Sequence, residues 1–176
     1  MTLGEWCDEN GEYGEKLLEE WYDPDRTVEE VTRGNRVYNA LWRCSAGCTK
    51  DGEAFTWEGL VSHRTRPERS GCPGCARRSP TDQNNLLQWC QDNGEHGRKL
   101  IEEWAEPELA MKAVTPGAEK KLSWMCSAGC TEDVEPFTWK AMVYDRTGSR
   151  RKGCPGCALV NRRRIKTNSL DYDRLL

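Results

Sequence analysis

The stretch Trp42-Arg43-Cys44-Ser45-Ala46-Gly47-Cys48, answered after 23 intervening residues by Cys72-Pro73-Gly74-Cys75, decides how this chain folds. Two close pairs of cysteines, separated by a span long enough for a hairpin, can wrap one tetrahedral ion. The pattern returns with the same spacing as Cys126-x3-Cys130-x23-Cys154-x2-Cys157. The sequence therefore predicts two zinc ions per chain, bound by Cys44, Cys48, Cys72 and Cys75 and by Cys126, Cys130, Cys154 and Cys157. Each ion has four protein ligands and no position left for water, which makes it structural rather than catalytic.

Composition favours the same conclusion. Only 36% of the 176 residues are hydrophobic and 31% are charged, with a mean hydropathy of -0.86. Small units this poor in apolar side chains need a covalent or metal staple. The N-terminal Met1-Thr2-Leu3-Gly4-Glu5 lacks signal-peptide character, and no apolar run approaches membrane-spanning length. The expectation is an intracellular, reducing compartment with thiolates on zinc, not a secreted disulfide framework, and no membrane partner.

The quartets end a longer repeat. Leu3, Trp6, Cys7, Gly11, Gly14, Leu17, Trp21 and Pro24 recur 83 positions later as Leu86, Trp89, Cys90, Gly94, Gly97, Leu100, Trp104 and Pro107. After a one-residue slip the offset is 82: Trp42, Phe55-Thr56-Trp57, Val61 and Arg64-Thr65 return as Trp124, Phe137-Thr138-Trp139, Val143 and Arg146-Thr147. All eight Trp and both Phe are paired in this way. What two copies in one chain share is what the unit needs to fold, so most of these aromatics are core. Residues 1–78 and 84–162 form the two units. The basic tail 163–176 is either the start of a third, since Asn168-Ser169-Leu170 echoes Asn84-Asn85-Leu86, or a plain helix over Leu170 to Leu176.

Within each unit, Thr2-x-x-Glu5 and Asn85-x-x-Gln88 read as capped helix starts, and Asn10-Gly11 and Asn93-Gly94 as left-handed stops. A second helix follows, with Leu17, Leu18 and Trp21 on its apolar side and Glu15, Glu19 and Glu20 in water. An extended stretch (Val37 to Arg43, Leu122 to Met125) leads to the first cysteine pair. Phe55-Thr56-Trp57 and Val61 to Arg64 are expected as two arms of a hairpin between the pairs. The predicted class is α+β: two tandem treble-clef or zinc-ribbon units, each with two N-terminal helices and a four-cysteine finger containing a β-hairpin.

The run Trp-Cys-x-x-Asn-Gly, Leu-Leu-Glu-Glu-Trp, Val-Thr-x-Gly, Trp-x-Cys-x3-Cys, Trp-x3-Val-x2-Arg-Thr and Gly-Cys-Pro-x-Cys resembles a zinc-ribbon, treble-clef domain family of unknown function, found in tandem arrays and sometimes beside nuclease domains. The resemblance spans roughly residues 3–75 and 86–157. The family commonly places His where Cys48 and Cys130 stand here, and zinc accepts either ligand. The resemblance implies a fold and no particular activity.

Charge is the guide to function. Residues 1–31 hold eleven acids and two bases, whereas 145–166 hold eight bases and one acid, so each unit is acidic at its helices and basic at its zinc end. Clustered arginine beside a finger is the electrostatic footprint of nucleic-acid binding. Arg64, Arg66, Arg77 and Arg78 in the first unit, with Arg69 near them, are the candidate contacts. Arg146, Arg150, Arg151, Lys152, Arg162, Arg163 and Arg164 are those of the second. DNA or RNA is the expected partner, with a protein-interaction scaffold as the alternative. Ser62-His63-Arg64 beside a finger also raises a remote HNH-like nuclease, disfavoured because Asp145 replaces His63 in the second copy. His63 is therefore read as a surface histidine rather than a general base, and His96, matched by Tyr13, is not required by the unit. Trp57 and Trp139 are the aromatics to consider for base stacking, and Cys7 and Cys90 are buried free thiols.

Overall fold

The computed structural model describes residues 1–132 and 135–159. The tail 163–176, with its third-unit reading, lies outside them. The chain divides into two compact units, one of Met1–Asn84 and one from Asn85 onward.

Unit 1 opens with α1 (Leu3–Asp8), capped reciprocally: Thr2 Oγ1 accepts from Glu5 N at 3.2 Å and Thr2 N donates to Glu5 Oε2 at 2.8 Å. Gly11 takes φ +53 and starts α2 (Gly11–Glu20). At Gly14 the two helices touch so closely that a Cβ would sit inside the Cys7 carbonyl, so only glycine fits. Leu17 points into the core, whereas Leu18 is 40% exposed. Strand β1 (Asn39–Arg43) runs to the first cysteine, β2 (Thr49–Lys50) and β3 (Glu53–Ala54) form a short outer hairpin, and β4 (Thr56–Leu60) pairs antiparallel with β1 in the register Trp42↔Trp57. Leu3, Trp6, Cys7, Leu17, Val31, Ala40, Trp42 and Val61 form the core. Burial pushes the Cys7 thiol up to about 11, with the nearby Asp8 charge adding to the effect, as befits an inert buried thiol.

The expected second hairpin arm is wrong. Val61–Thr65 is a helix, α3, and the partner of β4 is β1. The buried side chains switch there from spacing two to spacing three, which puts Val61 and Arg64 on one helical face.

Unit 2 repeats this order. It runs through α4 (Leu86–Asp92), α5 (Gly94–Glu102), a 3-10 turn at Met111–Ala113, β5 (Lys121–Met125), β6 (Thr131–Glu132), β7 (Glu135–Pro136), β8 (Thr138–Met142) and α6 (Val143–Thr147). Here Trp124 pairs with Trp139, and Gly97 meets the Cys90 carbonyl as Gly14 meets that of Cys7.

Two further expectations fail together. Glu20, expected in water, is 1% exposed, and Arg64, expected to reach phosphate, is 2% exposed; the two form a buried ion pair. Glu103 and Arg146 repeat the pair at 0% and 1% exposure. The Arg64 guanidinium also lies 4.6 Å from the Trp42 ring centre and 5.3 Å from that of Trp57, and Arg146 lies 4.7 and 5.1 Å from Trp124 and Trp139. Arg64 Nε and Nη1 have no hydrogen-bond partner, so the indole faces stand in for the missing acceptors. Ser45 Oγ, inside the knuckle, donates to Glu20 Oε1 at 2.9 Å, and Ser127 donates to Glu103 Oε1 at 3.2 Å. One carboxylate thus joins the end of the helical layer, α3 or α6, and the metal-binding loop. His96 belongs to the same latch. Its ring N–H donates to the Arg146 carbonyl at 2.8 Å, where Tyr13 Oη donates to that of Arg64 at 2.9 Å.

Breaking one side of such a pair leaves a buried charge. Arg64→Met should destabilise unit 1 by about 3–5 kcal/mol, and adding Glu20→Leu should restore a substantial part of the loss. Denaturant unfolding of the zinc-loaded protein checks this, and an additive double mutant would contradict it.

Candidate metal centre

Each finger is built by backbone geometry before the metal arrives. Strand β1 delivers Cys44, whose N–H donates to Phe55 O, while Phe55 N donates to Cys48 O, both at 2.8 Å. These two bonds hold the knuckle Cys44–Cys48 against the start of β4, and Gly47 at φ +83 makes the turn between the ligands. Cys126, Phe137 and Cys130 repeat the bonds at the same 2.8 Å. The second pair comes from the Cys72–Cys75 turn, closed by Ala76 N donating to Cys72 O at 3.1 Å. Unit 2 uses Cys154 and Cys157, with helical residues at 155–159.

The structure brings all eight predicted ligands together as two clusters, in each of which the four Sγ atoms lie within 4.8 Å of one another. Sγ separations are 3.6 Å for Cys44 and Cys75, 3.4 Å for Cys48 and Cys75, 3.6 Å for Cys126 and Cys157, and 3.3 Å for Cys130 and Cys157. A tetrahedron with Zn–S bonds of about 2.3 Å has edges of about 3.8 Å, so an ion fits with little movement. Four sulfur donors in that geometry suit Zn²⁺, and each site can bind one ion.

The loops also prepare the charge. Burial works against ionising Cys126, but the N–H groups of Cys130 and Ala128 and the thiols of Cys157 and Cys154 bring it down to about 7. Cys44 is lowered against burial in the same way, by N–H groups of Cys48 and Ala46 and the thiols of Cys75 and Cys72. Burial pushes Cys72 up to about 11, and the Cys130 hydrogen bond, with burial, pushes Cys157 up to about 11. One sulfur per cluster ionises readily, and the others lose their protons to the metal.

The remaining predicted contacts fall into three groups. Arg66, Arg69, Arg77 and Arg78 of unit 1, and Arg150, Arg151 and Lys152 of unit 2, are exposed. Arg64 and Arg146 are buried, as described above. Arg162, Arg163 and Arg164 lie outside the described residues. His63 is exposed on α3, in a cleft with Arg36, Leu60, Ser62 and Arg66. Trp57 and Trp139 are already engaged. Besides the buried arginine, each stacks on a phenylalanine, Phe55 and Phe137 respectively, at 6.2 Å and 15–16° between planes. Sequence reasoning missed Glu20 and Glu103, although both are retained across the repeat at the same offset as the helices around them.

Elemental analysis should return about two zinc ions per chain, and a chelator should unfold both units, because binding free energy in such sites is folding free energy. Metal-bound thiolates titrate below the thiols of the unfolded chain, so this stability holds at higher pH and is lost as pH falls. Acidification should release zinc and structure together, as followed by circular dichroism and a zinc-sensitive dye. One ion per chain, or retained structure after chelation, would refute the two-centre architecture.

Among curated proteins no match is found. A family model described as "Probable Treble clef zinc finger domain" matches residues 17–78 and 100–159, one copy on each four-cysteine cluster. Covering well over half the sequence in tandem, that match establishes that the chain belongs to this zinc finger family.

Proposed function

We propose that the chain is a non-enzymatic, intracellular module that binds DNA or RNA through cationic rims of its zinc fingers. The observation that carries this reading is the backbone of the rim arginines. Arg69, Arg77 and Arg151 sit at φ +40, +56 and +42, a region where a non-glycine residue costs roughly 1 kcal/mol or more. Arg69 and Arg151 occupy equivalent places in the two copies, 82 residues apart. Glycine or asparagine would satisfy those turns at lower cost, so retaining an arginine twice favours a use for the side chain; that of Arg69 lies over the Tyr13 ring, 4.2 Å from its centre, which fixes the guanidinium at the rim. Exposed Arg77, Arg78 and Arg150 extend the positive surface beside them, whereas Arg66 pairs with Glu68 at 3.5 Å and Lys152 with Asp145 at 2.8 Å. The exposed acids of α1 and α2 disfavour binding over the whole of unit 1.

The non-enzymatic part rests on what the clusters are made of. Among the described residues, the groups of three or more potential metal ligands are the two four-cysteine sites. Both are complete without a water position. His63 has arginines rather than a carboxylate or a second histidine in its cleft, which disfavours the HNH-like reading. No helix among the described residues is long and apolar enough to cross a membrane.

Fluorescence anisotropy against single- and double-stranded oligonucleotides tests the proposal. Affinity should fall steeply between low and physiological salt, and Arg69→Gly with Arg151→Gly should weaken binding and reduce the salt slope by about one per lost phosphate contact. The same substitutions should leave zinc content unchanged, with relief of the backbone strain offsetting loss of the Arg69–Tyr13 contact in melting temperature. Absence of binding to any oligonucleotide at low salt would sink the reading.

A further inference from the structure

The loop before the first strand and the short helix after the hairpin meet in the same backbone frame in both copies, but the side chains laid over that frame differ. In unit 1 Ser62 N donates to Asn35 O at 3.1 Å and Ser70 N to His63 O at 2.9 Å. In unit 2 Tyr144 N donates to Ala118 O at 3.1 Å and Lys152 N to Asp145 O at 2.9 Å. The Asn35 side chain fixes its loop further, accepting from the N–H groups of Val37 and Tyr38 at 3.0 and 2.8 Å. Over this frame Arg36, Ser62, His63 and Arg66 stand where unit 2 has Glu119, Tyr144, Asp145 and Gly148. Residues that repeat are those the fold needs, and these four are what unit 1 carries beyond it.

The four side chains line a cleft of about 320 Å³, with Leu60 as its apolar part, at the small end of the range for ligand sites. Unit 1 holds sixteen acids to eleven bases, yet no carboxylate is among the lining residues. Among the described residues neither the Arg36 guanidinium nor the His63 ring has a hydrogen-bond or ion-pair partner. Arg66 is oriented from outside the cleft, by Glu68 at 3.5 Å from its Nε and by Ser70 Oγ at 3.4 Å from Nη2. Both contacts are longer than a charge-assisted bond of about 2.8 Å, so a stronger acceptor can displace them. In unit 2 the residue in place of His63 is an acid, Asp145, paired with Lys152 at 2.8 Å, and Glu119 replaces Arg36. The same frame is therefore cationic in one copy and repels anions in the other.

We propose that this cleft of unit 1 binds a phosphomonoester dianion, presented by the phosphorylated end of a nucleic-acid strand. Two guanidinium groups supply charge and paired N–H donors, and the Ser62 hydroxyl and His63 ring supply single hydrogen bonds. Leu60 gives an apolar edge for the sugar that carries the phosphate. A phosphomonoester offers three terminal oxygens to such a set of donors. An internal phosphodiester offers two, and its strand must leave the cleft on both sides. A carboxylate offers two oxygens and a single charge. The strand end as source rests on the nucleic-acid reading above, whereas the phosphomonoester follows from the cleft alone.

The first probe is inorganic phosphate, titrated into the full zinc-loaded, ¹⁵N-labelled chain at constant ionic strength with chloride as the balancing ion. Saturable shifts are expected at the amides of Arg36, Ser62 and His63, with those of Glu119, Tyr144 and Asp145 unmoved. In the second arm, single-stranded oligonucleotides with a terminal phosphate should bind at least about tenfold tighter than the same strands with hydroxyl ends, the effect of one charge-assisted hydrogen bond. Arg36→Glu and His63→Asp place unit 2's own residues on the shared frame, so zinc content should be kept while the phosphate shifts and the terminal gain are lost. An absence of saturable phosphate shifts, equal shifts in both units, or shifts that survive both substitutions would overturn the site. Hydroxyl-ended strands binding as tightly as phosphorylated ones, with the phosphate shifts intact, would overturn the strand end as source and leave a free phosphomonoester as the ligand. Failure of every oligonucleotide to bind, with the phosphate shifts intact, removes the nucleic-acid reading and not the site.

Discussion

Four thiolates will not share a volume about 5 Å across unless a dication neutralises them, and that constraint organises each unit of this chain. Zinc coordination here completes an arrangement that backbone hydrogen bonds have begun. Phe55 accepts from Cys44 N and donates to Cys48 O, and N–H groups of the knuckle itself are aimed at the first sulfur. The ion brings the free energy, and the loops determine where it is spent. Because the core of each unit holds only about eight side chains, burial alone would leave so small a fold marginal.

The finger would still be a separate flap without the buried glutamate–arginine pair. Glu20 ends α2, Arg64 lies on α3, and Ser45 sits between two zinc ligands; one carboxylate reaches both partners. A buried ion pair contributes little net stability compared with an apolar replacement, but it makes the wrong packing expensive. Sandwiching the guanidinium against Trp42 and Trp57 also accounts for why these tryptophans are duplicated so faithfully. They are the walls of a cation site as much as they are core. Arg64, a candidate phosphate contact by sequence, is therefore a strut, and the proposed nucleic-acid surface narrows to the exposed rim.

Much of this was written in the pattern of residues. Ligand spacing predicted both metal sites, and the repeat predicted the helices, caps and core, because periodicity and local hydrogen bonding are short-range properties that survive in one dimension. The capping box at Thr2, the left-handed Gly11 and the close approach at Gly14 all lie within a few residues of what they control. Failures came where distant residues choose between equal local options. Val61–Arg64 suits a strand or a helix, and helix won because that turns Arg64 toward Glu20, 44 residues away in sequence. Retention of Glu20 and Arg64 in both copies was a usable signal, masked by the habit of assigning charges to solvent.

By itself the sequence determined that two zinc-stapled α+β units would form, and which cysteines, caps and apolar side chains build them. Spacing along the chain is enough to state those requirements. Only the tertiary structure decided which charges are buried, which arginines bear left-handed strain at the surface, and what covers the turn at Gly74. Those outcomes depend on what a side chain meets across space. Thr81 covers Gly74 in unit 1, and Glu20 meets Arg64 across the same unit. Desolvation and packing act on neighbours that the linear order does not name.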